Sequence, residues 1–216
     1  VGRNGAGKTT LFQAILGLTG IEAGSIAIDG KLADDWTPAR RARQIAYLPQ
    51  NMRRILFNMT AREEVLFAIT AGGPESDGDG ERADEALSRY GLSDLAEANP
   101  FALSSRQQAL LGLACAEAAG SLLAILDEPL LARDLNGRRL LEQFRDRAIA
   151  EGRAILLITH DLELVDDIAT HALLLNDGVI AHEGITADLW TSPAYRQLGW
   201  PGPRAAVEGE VSDAHS

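Results

Sequence analysis

Hydrophobic residues follow two kinds of pattern along this chain. Continuous or alternating apolar runs predict strands, and helical spacing predicts helices. Leu122–Leu126 and Ala154–Thr159 are continuous apolar runs, typical of strands buried on both faces of a parallel sheet. Gln44–Leu48 predicts a shorter strand that stops at Pro49, and Ser25–Asp29 alternates as a further short strand does. Because helical patterns separate the buried strands, the chain is predicted to have an α/β fold with a mostly parallel sheet.

Helical periodicity occurs in five longer segments of the chain. The predicted helices cover Ala61–Ala71, Glu81–Tyr90, Leu103–Ala119, Gly137–Ala150 and Asp161–Ile168. The segment of about residues 51–119 is mainly helical, so we expect it to form a helical subdomain. It contains a flexible acidic loop over residues 71–80.

The end of the chain combines a hairpin with a polar tail. Asn176-Asp177-Gly178 separates the apolar segments Leu173–Leu175 and Val179–His182, which is a strong signal for a β-hairpin. The tail after Pro201 is polar and is predicted to be disordered. We therefore expect one domain over residues 1–200 and a tail over residues 201–216.

The most informative motif lies at the start of the chain. Gly2-Arg-Asn-Gly-Ala-Gly-Lys-Thr-Thr10 fits the phosphate-loop pattern G-x-x-x-x-G-K-[ST], and the apolar pattern of Leu11–Leu16 predicts a following helix. Glycines allow backbone N–H groups to approach an anion, which the positive end of the helix also attracts. Lys8 would reach the β- and γ-phosphates of a nucleotide, and Thr9 would hold Mg²⁺. The predicted nucleotide-binding residues of this loop are Asn4, Gly5, Ala6, Gly7, Lys8, Thr9 and Thr10.

A phosphate loop of this kind should follow a buried strand, yet only Val1 precedes it. We therefore expect the sequence to be a fragment whose first strands are missing. Without a strand behind Val1, the loop is expected to lack its anchor, and the fragment is expected to bind ATP poorly.

Chemically active residues follow three of the predicted strands, where an open parallel sheet presents its functional groups. Asp127 ends one strand and is expected to assist Mg²⁺ binding, while Glu128 beside it could orient or deprotonate an attacking water. His160 could donate a hydrogen bond to the γ-phosphate, although taken alone a helix-capping or solvated histidine would explain it better. Gln50 could sense the γ-phosphate through Mg²⁺ or water, but a lone glutamine is uninformative.

Net charge, apolar content and cysteine count argue against several classes of protein. The 216 residues carry a formal net charge of −11, which argues against a protein that coats nucleic acid, and 46% of them are hydrophobic, enough for a core. The sequence has no apolar run of about 18 residues, the length that a membrane-spanning helix needs. The single cysteine, Cys115, excludes a disulfide framework.

Taken in order, these motifs resemble those of an ABC (ATP-binding cassette) ATPase domain over nearly the whole chain. The matching residues are Gly2–Thr10, Gln50, Leu103-Ser104, Ile125–Pro129, Asp134 and Thr159–Asp161. The resemblance implies a P-loop NTPase fold that binds ATP and Mg²⁺. It also implies that Gln50 contacts Mg²⁺ and faces a transmembrane partner, and that Glu128 is the catalytic base. His160 matches the switch histidine and Asp134 the D-loop aspartate.

The resemblance further implies an ATP-hydrolysing subunit at the cytoplasmic face of the cell membrane that powers an ABC-type transporter. Tyr47–Asn51, Ile55–Phe57 and Thr60–Val65 are similar to energy-coupling factor (ECF) type ATPases, which favours an importer. The implied partners are a second ABC ATPase domain and a transmembrane transporter subunit, and no nucleic acid is expected. Two alternatives stay open: a non-transport ABC ATPase acting on ribosomes or DNA, and a nucleotide-binding regulatory subunit without turnover.

The chain departs from the family in its signature motif. The family's L-S-G-G-Q, which caps the γ-phosphate bound to the opposite subunit, is Leu103-Ser104-Ser105-Arg106-Gln107 here. Ser104 keeps the hydroxyl, but Ser105 and Arg106 add side chains where backbone must approach phosphate closely. Arg106 could repel or re-aim the loop, or pair with phosphate, and we expect impairment. With an intact catalytic set beside this signature, a heterodimer or a fused tandem pair is expected rather than a homodimer.

Overall fold

The computed structural model describes residues 1–203, in which strands and helices alternate as the sequence predicts. The strands are β1 (Ala27–Ile28), β2 (Lys31–Leu32), β3 (Ile45–Leu48), β4 (Leu123–Asp127), β5 (Ala154–Ile158), β6 (His171–Asn176) and β7 (Val179–Ile185). The helices are α1 (Lys8–Leu16), α2 (Pro38–Ala42), α3 (Ala61–Thr70), α4 (Asp79–Arg89), α5 (Ser105–Ala119), α6 (Leu135–Ala150), α7 (Leu162–Ile168), α8 (Thr186–Thr191) and α9 (Pro193–Leu198). Most of the predicted tail, from residue 204 onward, lies outside the described residues.

The chain divides into two compact units. One contains Val1–Phe12 together with the chain from Leu157 onward, and the other contains Gln13–Leu156. The predicted single domain and its helical subdomain stay predictions. In the described part of the chain, no helix combines the length and the apolar character needed to cross a bilayer.

A buried parallel sheet organises the larger unit, as predicted. β3 pairs in parallel with β4, so that Tyr47 lies opposite Ile125, and β4 also pairs with β5. Ile125 is fully buried, which explains why the β4 sequence is apolar on both faces. The sequence analysis did not predict β2, which pairs antiparallel with β1 across a tight turn.

Helices α3, α4 and α5 pack against one another in the same unit. A capping box begins α3, in which the side chain of Thr60 accepts from the backbone of Glu63, whose carboxylate accepts from Thr60 N at 3.0 Å. A second capping box between Ser104 and Gln107 begins α5. These caps satisfy first-turn N–H groups that would otherwise lack acceptors, so the sequence fixes where each helix begins.

A buried carboxylate joins three helices of this unit. Glu117 on α5 accepts hydrogen bonds from Tyr90 at the end of α4 (2.5 Å) and Arg147 on α6 (2.9 Å), and it pairs with Arg89. Burial acts to raise the pKa of Glu117, but hydrogen bonds from Arg147, Tyr90 and Arg89 outweigh it and hold that pKa below its ordinary value. The cluster therefore fixes α5 against its neighbours with a carboxylate that stays ionised.

The smaller unit is built on the predicted hairpin. β6 and β7 pair antiparallel, and the turn between them places Asp177 and Gly178 in the left-handed region, at φ 48° and 79°. Apolar residues from β6, α8 and α9 form its core, which comprises Ala172, Leu174, Leu189 and Tyr195.

Candidate functional site

The phosphate loop is held by backbone hydrogen bonds to β6. Val1 N donates to Leu173 O at 2.7 Å, Leu175 N donates to Val1 O at 2.9 Å, and Gly2 forms a parallel bridge with Leu175. The expectation that the loop lacks an anchor is therefore wrong, because β6 holds its first residues. These contacts do not test the expectation that the fragment binds ATP poorly, which stays a prediction.

Two glycines of the motif are required by the geometry of the loop. Gly2 has φ 155°, and a Cβ there would lie 2.5 Å from Leu175 O, so a side chain would break the contact with β6. Gly7 has φ 98°, in the region that only glycine adopts without strain, directly before α1. The loop closes through Ala6 N, which donates to Arg3 O at 3.1 Å.

Lys8 is the first residue of α1, and its side chain folds back over the loop. Its ammonium donates to Gly2 O at 2.6 Å and to Arg3 O at 2.9 Å. The first-turn N–H groups of an α-helix have no intrahelical acceptor, and they carry the positive end of the helix dipole. A positive side chain, these N–H groups and a glycine turn together fit a phosphate group.

The other predicted residues of the loop surround this position. Asn4, Gly5, Thr9 and Thr10 are exposed, whereas Ala6 is buried. Thr9 and Thr10 lie in the first turn of α1, where a hydroxyl can reach a ligand at the helix end. The loop is thus presented to solvent on a fixed backbone.

His160 lies in the same unit as the loop and is exposed between β5 and α7. The cap of α7 is Asp161, which accepts from Leu164 N at 3.1 Å, while Asp161 N donates to Thr159 Oγ1 at 3.0 Å. Asp161 and not His160 therefore caps α7, while the exposure of His160 agrees with the alternative of a solvated histidine.

Asp127 and Glu128 occupy the end of β4 in the other unit. Tyr47 on β3 donates from its hydroxyl to Asp127 Oδ2 at 3.2 Å. Burial, and after it the negative charge of Asp127, raise the pKa of Tyr47 to about 12. Glu128 adopts φ 48°, a left-handed conformation that costs a non-glycine residue about 1–3 kcal/mol and that concentrates at functional sites.

Sequence reasoning missed Tyr47. Its contact depends on the register between β3 and β4, which places Tyr47 opposite Ile125, two residues before Asp127. Residues two apart on a strand point to the same face, so the side chains of Ile125 and Asp127 share a face. No signal within the sequence could reveal that register, because residues 80 positions apart make the contact.

Gln50 lies beside a cavity of about 290 Å³ within the larger unit. The cavity is lined by the segment after β3, the first turns of α5 and the chain after β4, including Gln50, Asn51, Ser105, Gln108 and Pro129. Gln50 is exposed, which leaves its amide accessible.

The altered signature segment is tied to its own chain. Ser104 Oγ accepts from Gln107 N at 3.3 Å and donates to Gln107 Oε1 at 2.9 Å. The guanidinium of Arg106 forms an ion pair with the carboxylate of Asp134. A hydrogen bond from Gly137 N (2.8 Å), and with it the charge of Arg106, lower the pKa of Asp134.

The predicted site residues thus fall into two groups. The loop residues and His160 belong to one unit, while Gln50, Ser104, Asp127, Glu128 and Asp134 belong to the other. Within the described residues, no three His, Cys, Asp or Glu side chains gather as a metal cluster would require. The residues predicted to hold Mg²⁺, Thr9, Gln50 and Asp127, offer hydroxyl, amide and carboxylate oxygens, the hard donors that this ion prefers.

Comparison with known proteins places the chain among ATP-binding proteins. The sequence profile described as ABC transporter matches residues 1–131. A putative ABC transporter ATP-binding protein of Methanosarcina acetivorans is 35% identical over 203 residues, which cover 94% of this chain. The chain spans 33% of the length of that relative. The energy-coupling factor transporter ATP-binding protein EcfA1 of Thermotoga maritima is 34% identical over 168 residues, or 78% of this chain and 63% of that protein.

A solved structure has the same architecture. It is a dimeric ATP-binding cassette in a post-hydrolysis state, bound to ADP and Pi, with a TM-score of 0.74 and 25% identity. The match covers 86% of this chain and 83% of that chain. Since the family profile also covers more than half of the residues, the chain belongs to the ABC transporter family, as an ATPase domain.

Proposed function

We propose that this chain binds and hydrolyses ATP to power an ABC-type membrane transporter, and that the transporter is an importer. The geometry of the phosphate loop carries the proposal: Lys8 and the first turn of α1 offer positive groups on a backbone fixed by β6. Transport follows from the family, and import is supported by the relative named as an energy-coupling factor transporter ATP-binding protein.

The residues divide the work of phosphoryl transfer between them. Lys8 and the N–H groups of the loop bind the phosphates and stabilise the charge that develops on them. Glu128 orients the attacking water and accepts its proton, and His160 donates to the γ-phosphate. Thr9, Gln50 and Asp127 would hold Mg²⁺, which neutralises phosphate charge.

The segment shortly after Gln50 carries exposed apolar side chains, which we propose contact a membrane partner. Phe57 and Met59 are 60% and 71% exposed, and Phe57 packs edge-on against Phe67, which is also exposed, so that the apolar surface is contiguous, as at interaction sites. The buried carboxylate of Glu64 fixes their segment, accepting from Asn58 N at 2.7 Å and from Asn58 Nδ2 at 3.0 Å. This rigid apolar surface supports docking of a transmembrane subunit, as the resemblance of Gln50 to the Q-loop glutamine implies.

The altered signature supports pairing with a different ATPase domain. The Ser104 hydroxyl is engaged in its own capping box and Arg106 in an ion pair, so neither is directed to a partner's nucleotide. We propose a heterodimer or a fused tandem pair, in which the partner supplies an intact signature to the site built on Lys8 and Glu128.

The proposal is tested by measuring phosphate release with Glu128→Gln, with each protein mixed with an ABC ATPase domain that carries an intact L-S-G-G-Q. The variant should bind ATP as the parent chain does but release phosphate at least about 100-fold more slowly, because it lacks the base. Glu85→Gln, which changes an exposed carboxylate on α4, is the matched control and should keep the parent rate. An unchanged rate in Glu128→Gln would support the regulatory alternative, and co-purification with nucleic acid instead of membranes would support the non-transport alternative.

A further inference from the structure

The Tyr47 hydroxyl donates a hydrogen bond to the carboxylate of Asp127, the residue that we propose helps to hold Mg²⁺. Tyr47 lies on β3 and its hydroxyl donates to Asp127 Oδ2 at 3.2 Å, across two neighbouring strands of one parallel sheet. The ring is half-buried, so its position is set by the sheet and not by a mobile side chain in solvent.

The direction of this hydrogen bond matters for the carboxylate. A phenol that donates to one oxygen stabilises the ionised form of the carboxyl and opposes rotation about its last side-chain bond. Side chains that orient a metal ligand in this way raise metal affinity without touching the metal, and losing one typically weakens binding about 10–100-fold.

We propose that Tyr47 is a positioning residue, which holds Asp127 in the orientation that Mg²⁺ binding requires. The inference rests on the proposed function, since it takes the Mg²⁺ role of Asp127 from there. It adds a member to the site, because Tyr47, three residues before Gln50 in the segment that is similar to ECF-type ATPases, had been assigned no role there.

A merely structural role for Tyr47 would have different consequences. Loss of packing or of one hydrogen bond would lower the stability of the sheet and weaken nucleotide binding whether or not metal is present. A positioning role affects only the part of nucleotide binding that depends on Mg²⁺. Tyr47→Phe removes the hydroxyl and keeps the ring, so it separates the two roles.

The test is a titration of the whole chain with a fluorescent ATP analogue, with Mg²⁺ and without it. Tyr47→Phe should raise the Mg²⁺ concentration needed for half-maximal binding about 10-fold, while affinity without metal stays at the parent value. Tyr195→Phe, which removes a hydroxyl that donates to Pro201 O at 2.8 Å, is the matched control and should change neither titration.

A double variant checks that Tyr47 acts through Asp127. In the Asp127→Asn background, Tyr47→Phe should cause no further change in the Mg²⁺ dependence. An additive effect there would overturn the inference, as would an unchanged Mg²⁺ titration for Tyr47→Phe alone. If the parent chain binds the analogue equally with and without Mg²⁺, the proposed metal role of Asp127 fails first, and the role of Tyr47 fails with it.

Discussion

The phosphate loop and the signature segment differ in where their polar groups are directed. The loop keeps the family pattern, and Lys8 and the first turn of α1 stand on a backbone fixed by β6. The signature segment has lost both glycines, and its Ser104 hydroxyl and Arg106 guanidinium bond within the chain. One region is arranged to receive a nucleotide, while the other is arranged to stabilise its own helix. The difference supports the proposal that the chain keeps its contribution to one shared nucleotide site and has an altered contribution to the other.

The largest expected effect concerns the support of the signature helix. Glu117→Ala leaves the partly exposed guanidiniums of Arg89 and Arg147 and the buried hydroxyl of Tyr90 without their carboxylate, and should lower the free energy of unfolding by about 3 kcal/mol. Urea denaturation of the parent chain and of the variant measures this loss of unfolding free energy. A loss below about 1 kcal/mol would mean that this cluster does not hold α5.

The next effect concerns the loop. Lys8→Ala removes the ammonium that lies over Gly2 and Arg3, and should slow phosphate release roughly 100-fold or more, because a charged group facing the phosphates is lost. Phosphate release under saturating ATP measures it, with Lys31→Ala on the exposed β2 as the control. Equal rates for both variants would show that the loop is not the site of hydrolysis.

A gain of function should follow when the signature is restored. Ser105→Gly with Arg106→Gly recreates L-S-G-G-Q, releases Asp134 from its ion pair and lets the backbone approach a partner's phosphate. The ATPase rate of the chain with itself should rise about 10-fold or more, since each donor to a transition-state charge contributes at least that much. No increase would mean that the altered signature is not what limits the homodimer.

The smallest effect is a pH dependence of stability. The pKa of Glu117 is lower in the folded chain than in the unfolded one, so its contribution is present above the ordinary carboxyl range and is lost as the pH falls through the folded value. Between neutral pH and about pH 3, unfolding free energy should fall less in Glu117→Gln than in the parent chain. Parallel curves for both proteins would contradict this assignment.

Local patterns predicted much of this molecule. The buried strands, helices α1 and α3 to α7, and the hairpin at Asp177-Gly178 follow from short-range periodicity and turn chemistry, whereas the short helices α2, α8 and α9 were not predicted. Likewise, the phosphate loop is a continuous motif, so its residues could be named from the sequence. The predicted roles of these residues stay predictions.

Contacts between distant residues could not be predicted. Arg106 pairs with Asp134 28 positions away, and Tyr47 reaches Asp127 across 80 positions, both through packing and register that no single sequence encodes locally. The anchor of the loop was missed for the same reason, since β6 reaches Val1 from the far end of the sequence.

One complementation assay tests the contrast between loop and signature most directly. A donor variant that combines Lys8→Ala with Ser105→Gly and Arg106→Gly can offer a restored signature but cannot hydrolyse ATP at its own loop. Mixed with the parent chain, it should give phosphate release well above that of either protein alone, because the parent loop gains the signature it lacks. Release by the parent chain alone as fast as by the mixture would contradict the account.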